Sequence, residues 1–172
     1  MTRLWQKEYR KKFIEPCDLA SFSNQLRKEG KRIVTLNGSF DLLHAGHLQT
    51  FYEASLLGDV LIVALNSDLS IKGYKGENRP IIPLEGRLQM VAALEFVDHV
   101  TYFDALDPRE ILAQIKPLIH VNCESYGMAC IEREVVEQHG GTIHLVKKIP
   151  GLSTTEIIQK IVNIEGDKQP CG

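Results

Sequence analysis

The sequence has no dominant charge. Twenty Lys and Arg stand against 22 Asp and Glu in 172 residues, a formal net charge of −2. A dedicated nucleic-acid binder carries a basic excess, so that class is disfavoured. Cysteine is sparse, and Cys17, Cys123, Cys130 and Cys171 show neither C-x-x-C spacing nor companion histidines. This argues against a disulfide scaffold and a structural zinc site, and the four are read as cytosolic thiols. Long apolar runs are missing too. The longest aliphatic stretch, Val60 to Leu65, is far too short to span a bilayer. The basic start (Arg3, Lys7, Arg10, Lys11, Lys12) is not followed by the apolar region of a secretory signal. The expectation is a cytoplasmic globular protein with no membrane and no nucleic-acid partner, long enough for one domain with a substantial core.

Strands alternate with helices along the chain. Residues 1–17 are polar and basic and are expected to form an N-terminal arm. Asp18 caps a helix carrying Leu19, Phe22 and Leu26, which Gly30 ends. A first strand is expected over about Arg32 to Asn37, and a helix after His44 stops at Gly58. Val60 to Asn66 is a continuous apolar run suited to a buried parallel strand. Residues 67–80, with two glycines and a proline, read as a long functional loop. Pro83 opens the next helix, His99 to Phe103 is a third strand, and Asp107-Pro108-Arg109-Glu110 starts a helix. Leu118 to Val121 and Thr142 to Val146 are the fourth and fifth strands, with a short helix over Glu132 to His139 between them. Ser153-Thr154-Thr155-Glu156 is a capping box for a last helix through Ile164, and 165–172 reads as a flexible tail. The pattern predicts an α/β fold: a Rossmann-like parallel five-stranded sheet with helices on both faces, its one domain covering 18–164. Right-handed crossovers put the ligand at the carboxyl ends of the strands, where the first strand should lie beside the fourth.

The chain is organised around Asn37-Gly38-Ser39-Phe40-Asp41-Leu42-Leu43-His44-Ala45-Gly46-His47-Leu48. An apolar run leads in and an amphipathic run leads out, so the stretch reads as strand, tight turn, helix. Gly38 permits a sharp turn and close approach to a ligand. His44 and His47, three apart, share one face at a helix start, and Gly46 leaves room between them. Helix N-termini attract anions, so the group suits a phosphate; the bare spacing also fits a metal pair or incidental surface histidines.

The string Gly38-x-Phe40-Asp41-x-x-His44-x-Gly46-His47 closely resembles the signature of the cytidylyltransferase-like nucleotidyltransferase superfamily. Across residues 17 to 164 the sequence resembles most the D-glycero-β-D-manno-heptose 1-phosphate adenylyltransferase branch, the enzymes of ADP-heptose synthesis in lipopolysaccharide precursor supply. Matching stretches include Leu61 to Asp68, Lys75-Gly76, Arg79-Pro80, Pro83-Leu84-Glu85-Gly86-Arg87, Ala92 to Asp98 and Gly151-Leu152-Ser153-Thr154-Thr155. The resemblance implies transfer of a nucleoside monophosphate from ATP to a sugar 1-phosphate, with Mg²⁺ and release of pyrophosphate. The attacking phosphate is already ionised at pH 7, so positioning and charge neutralisation suffice. His44, His47 and Lys72 are expected to be catalytic, the histidines at the α-phosphate and Lys72 over the β- and γ-phosphates. Gly38, Ser39, Phe40, Asp41, Gly46, Lys75, Arg79, Arg87, Asn122, Glu124, Tyr126, Ser153, Thr154 and Thr155 are expected to bind the nucleotide, Asp41 by orienting the turn. No metal is expected on protein ligands alone. The partners implied are a nucleoside triphosphate, a sugar phosphate and a second copy in a homodimer, with any sugar kinase on a separate chain.

The sequence departs from the family at one place. After the fourth strand, members show a basic residue, Gly-Gly-Asp or Gly-Asp-Asp, then an aromatic; here the stretch is Asn122-Cys123-Glu124-Ser125-Tyr126. Lys148, three before Gly151, matches instead a basic position of the cytidylyltransferase branch. Two further readings follow: a cytidylyltransferase acting on a phosphorylated polyol or amino alcohol, and a nucleotide-binding relative without turnover.

Overall fold

The computed structural model describes residues 4–166. Five strands, β1 (Ile33–Gly38), β2 (Val60–Asn66), β3 (His99–Phe103), β4 (Ile119–Cys123) and β5 (Thr142–Val146), form one parallel sheet in the order β3-β2-β1-β4-β5. The order reverses at β1, whose other neighbour is β4, as the crossover rule requires. The α/β expectation is met, and β2, β3 and β5 run over the expected residues.

Helices cover both faces because both faces of a parallel sheet must be buried. On one face α3 (Ala45–Ser55) and α5 (Leu84–Ala92) pack Phe51, Ala54, Leu88 and Val91 over Leu36, Leu61, Val63 and Val100. On the other, α2 (Leu19–Lys28) and α6 (Arg109–Ile115) pack Leu19, Ile111 and Ile115 over Ile33, Ile62 and Ala64. The remaining helices are α1 (Trp5–Glu8), α4 (Asp68–Lys75), α7 (Arg133–Gln138) and α8 (Thr154–Gly166).

Several local expectations change. From residue 4 onward the N-terminal arm is folded. Tyr9 and Ile14 are buried, Phe13 bridges Val100 in parallel, and the Lys12 ammonium donates to the carbonyls of Leu94 and Val97. Apolar side chains at 9, 13 and 14 give this segment a face to bury, which its basic composition hides. Asp18 makes no side-chain cap bond, and the chain enters α2 through a 3₁₀ turn, Pro16–Asp18. Helix α3 ends at Ser55, short of Gly58. A β-carbon at Gly58 would lie 2.5 Å from Val34 Cγ2 and 2.6 Å from the Arg32 carbonyl, so close packing requires the glycine. The polar stretch after β2 is largely α4, started by Ser67, whose hydroxyl accepts from the Ser70 amide at 3.1 Å. Helix α8 runs to Gly166, two residues into the expected tail; 1–3 and 167–172 lie outside the described residues.

Candidate active site

The site begins where β1 ends. Gly38 is followed by Phe40 at φ +45°, so the left-handed position falls on the aromatic rather than on the glycine. The strain is held by packing: the buried Phe40 ring lies 4.8 Å from Phe51 and edge-on to His47 at 5.4 Å, centroid to centroid. A β-carbon on Gly38 would come within 2.8 Å of that ring, so the glycine makes room for Phe40. Asp41, 1 % exposed, accepts from the amides of Ile81 and Ile82 and from Arg79 Nε at 2.8 Å, with Arg79 Nη2 at 2.6 Å. Burial pushes its carboxyl up, but the two amides and the guanidinium outweigh this and hold it below the ordinary value. Asp41 therefore clasps the 79–82 segment to the turn and faces away from the cleft.

His44 is the N-cap of α3, and its Nδ1 accepts from the His47 amide at 3.4 Å. A proton donated into Nδ1 leaves the ring's own proton on Nε2. The two imidazoles are stacked, with centroids 3.8 Å apart and planes 19° apart. Gly46 makes this possible: a β-carbon there would sit 3.0 Å from the His44 ring and 3.5 Å from Leu152 Cβ. Burial, then His44 and Lys75, pushes His47 down to about 4; burial also lowers His44, Glu156 opposing and Lys148 assisting. Both rings are neutral at pH 7. His47 Nδ1 is buried without a hydrogen-bond partner.

Around this pair lies a cleft of about 310 Å³, between the ends of β1 and β4 and the N-terminus of α8. Of the expected residues it gathers Gly38, Ser39, Phe40, His44, Gly46, His47, Lys75, Asn122, Tyr126, Ser153 and Thr154. Ser153 caps α8, its Oγ accepting from the Glu156 amide at 3.2 Å and donating to Glu156 Oε2 at 2.7 Å, while Thr154 Oγ1 donates to the Leu42 carbonyl at 3.4 Å. Lys75 Nζ donates to Ser39 Oγ at 2.9 Å, and its pKa is lowered by burial and then by Arg79. Beyond these it takes in Asn37, Cys123, Ser125, Lys148 and Leu152, all within stretches the sequence singles out, and Thr50, Lys147 and Ile149, which the sequence did not point to. The Lys-Lys pair two residues before Pro-Gly was the available signal.

Six expected residues do not line it. Lys72 lies outside, 3.7 Å from Glu77 Oε2, whereas Lys75, the last residue of α4, reaches Ser39 within the cleft. Arg87 is fully buried; it donates to the carbonyls of Ile82, Ser39 and Asn66 and to Asp68 Oδ1, all within 2.9 Å. It supports the turn from beneath, as Arg79 does through Asp41. Glu124 and Thr155 complete the group, and Glu124 accepts from the Lys148 amide at 3.2 Å. A separate cavity of about 400 Å³ beside the end of β3 presents Glu15, Asp104, Asp107 and Glu110, the wrong charge for a polyphosphate.

The chain matches the cytidylyltransferase-like family over residues 35–160. This chain belongs to the cytidylyltransferase-like family. Its nucleotidyltransferase reading follows, and the stacked pair is that family's His-x-Gly-His element in three dimensions. The chain is 42% identical over 143 residues to the bifunctional protein HldE of Geobacter sulfurreducens, covering 83% of this chain and 29% of that one. It is 40% identical over 160 residues to HldE of Methylococcus capsulatus, covering 92% and 34%. The chain thus spans about a third of the length of these curated relatives. Among solved structures it resembles the lipopolysaccharide core biosynthesis protein of Thermoplasma volcanium, with TM-score 0.57 and 28% identity over 70% of this chain and 98% of that one. Pantoate-beta-alanine ligase of Francisella tularensis, at 17% identity and TM-score 0.57 over 93% and 81%, shares the fold.

Proposed function

We propose that this nucleotidyltransferase moves AMP from ATP to a sugar 1-phosphate, a heptose 1-phosphate, with release of pyrophosphate. The observation that carries the reading is the lining of the cleft. Two stacked neutral imidazoles, the start of α8 and the ammoniums of Lys75, Lys147 and Lys148 converge there, and among the described residues no carboxylate lines it. That inventory receives a polyphosphate and neutralises charge as it develops. The adenylyl and heptose assignments rest on the sequence resemblance and on the HldE relatives.

The acceptor phosphate attacks the α-phosphorus in line and needs no base. His44 Nε2–H is free to donate to an α-phosphate oxygen because Nδ1 is engaged. His47, backed by Phe40, fixes the plane of the His44 ring and donates beside it. Lys75, from the end of α4, covers the leaving pyrophosphate. Mg²⁺ would travel on the triphosphate and screen its charge. Mg²⁺ bound in this way keeps several waters and needs few protein ligands. The setting proposed is cytoplasmic and homodimeric. Among the described residues no helix is long and apolar enough to cross a membrane.

A cytidylyltransferase acting on a phosphorylated polyol is the second reading, favoured by Lys148 in the cleft. Pyrophosphate release with ATP and with CTP, each against heptose 1-phosphate and glycerol 3-phosphate, decides. Turnover with ATP and heptose 1-phosphate supports the first reading. Turnover with CTP and glycerol 3-phosphate alone supports the second. Tight nucleotide binding without turnover on a broad acceptor panel supports a binding protein.

A further inference from the structure

The walls of the cleft come from two separate segments. One is the end of β4 with the turn after it and contributes Asn122, Cys123, Ser125 and Tyr126; the other follows β5 and contributes Lys147, Lys148, Leu152 and Ser153. Strands β4 and β5 pair in register as far as Cys123↔Val146, and there the ladder stops. The chain then turns through a short 3₁₀ helix, Glu124–Tyr126, on one side and runs irregularly to Ser153 on the other. Beyond the ladder, the Glu124 side chain takes over: Oε1 accepts from the Lys148 amide at 3.2 Å.

The root of Glu124 is itself fixed. Asn122 Nδ2 donates to Glu132 Oε2 at 3.3 Å, Glu132 is 7% exposed, and Asn122 Oδ1 accepts from the Cys123 amide at 3.0 Å. Both ends of the Asn122 carboxamide are thus committed to holding the turn. Here the family pattern has glycine or aspartate at the position of Glu124; glycine has no side chain to span the gap, and aspartate is one methylene shorter. The segment this chain carries instead is internally braced and reaches across to the opposite wall.

We infer that Glu124 is a positioning residue, a side-chain clasp that continues the β4–β5 ladder and sets Lys148 and the α8 N-terminus at the distance a nucleoside triphosphate requires. The path onward is short. Lys148 is three residues before Gly151, Leu152 packs on Gly46, and Thr154 bonds the Leu42 carbonyl. A shift at residue 148 therefore moves the ammonium, the capping box and the wall beside His44 together. The part played by Glu124 is that of an acceptor, so a neutral carboxamide in its place keeps the bond while alanine removes it.

The test compares Glu124→Ala and Glu124→Gln in the full chain. Glu124 is exposed and outside the core, so both variants keep the native fold. The first readout is the Lys148 amide. Its ¹H–¹⁵N signal moves and its exchange protection falls in Glu124→Ala, and both stay near native in Glu124→Gln. The second is titration with Mg·ATP and with Mg·CTP. Glu124→Ala binds about three- to tenfold more weakly, as expected for one lost hydrogen bond, and Glu124→Gln restores affinity. Lys148→Met is weaker too, and Glu124→Ala adds nothing on the Lys148→Met background, because the clasp acts through that residue.

The inference rests on the cleft being a nucleoside triphosphate site, and not on the choice of ATP or of a heptose. A wrong acceptor leaves the binding ranking intact, so the two failures are distinguishable. An unmoved Lys148 amide in Glu124→Ala, Glu124→Gln as impaired as Glu124→Ala, or additive losses with Lys148→Met would each overturn it.

Discussion

His44 and His47 lie face to face at 3.8 Å, and a backbone amide bound to one ring decides which nitrogen of that ring carries the proton. In the proposed mechanism the helix start is both scaffold and reagent. His44 caps α3 through Nδ1 and keeps Nε2–H for a ligand. Replacing it by alanine removes two functions at once, at a cost of about 1 kcal/mol for the cap alone. His44→Asn separates them, since asparagine caps well but places no donor at the Nε2 position. In this variant, thermal stability stays close to native while kcat falls by about 10²- to 10³-fold. Near-normal turnover in His44→Asn would remove the imidazole from the mechanism.

The two lysines of α4 should behave differently. Lys75 is bonded to Ser39 within the cleft, whereas Lys72 sits outside near Glu77. Lys75→Ala should lower kcat/KM by roughly 10- to 100-fold, the worth of a charge-assisted contact. Lys72→Ala should stay within about twofold. Steady-state kinetics of the two variants with varied triphosphate checks both, and the reverse ranking would place Lys72 over the phosphates.

Asp41 and Arg79 form a largely buried pair, with side chains 0% and 19% exposed. Removing the carboxylate leaves a guanidinium and two amides without their acceptor. Asp41→Ala should cost about 3–5 kcal/mol, read from urea unfolding. Asp41→Asn should fall between, since its amide accepts from one donor but turns an NH₂ toward the others. A loss below about 1 kcal/mol in Asp41→Ala would mean that the clasp is dispensable.

His120 gives stability a pH dependence. It is fully buried on β4, its Nδ1 lies 2.8 Å from Thr35 Oγ1, and burial pushes its pKa down to about 3. The folded value lies below the unfolded one, about 6.5, so between them the unfolded chain binds the extra proton. Its contribution is therefore fully present above about pH 6.5 and is lost as pH falls toward 3, at up to about 1.4 kcal/mol per pH unit. Chemical denaturation at a series of pH values should show this slope, and His120→Leu should flatten it. An equally steep slope in His120→Leu would assign the acid sensitivity to other groups, of which His47, lowered to about 4, is the next.

Much of the fold was legible because its signals are local. Val60 to Asn66 announces itself as a buried strand by having no polar residue before Asn66, and the capping box at Ser153 marks the start of α8 within one residue. The site was legible where a single short string builds it, at 37–48. It was not legible where orientation depends on an element the sequence conceals. Gly73 and Gly76 make α4 look like a loop, and so the choice between Lys72 and Lys75 was made without a helix to orient them. The resemblance implies a nucleotide-binding Arg87, yet it is buried; three of its four oxygen partners come from distant segments, and no local pattern encodes them. The same holds for the N-terminal segment, where scattered lysines mask the buried Tyr9 and Ile14.

Strands β1 and β4 pair only at Val34↔Ile119 and Thr35↔His120, although β1 continues to Gly38 and β4 to Cys123. Past Thr35 the two halves of the sheet part like an unfinished zip, and the cleft occupies the opening. Strands β3, β2 and β1 lie on one side of it, and β4 and β5 lie on the other. A molecule bound there stands where further ladder bonds would have been and bridges the halves. Substrate binding should therefore strengthen the join along the centre of the molecule, slowing amide exchange in β1 and β4 well beyond the residues it touches.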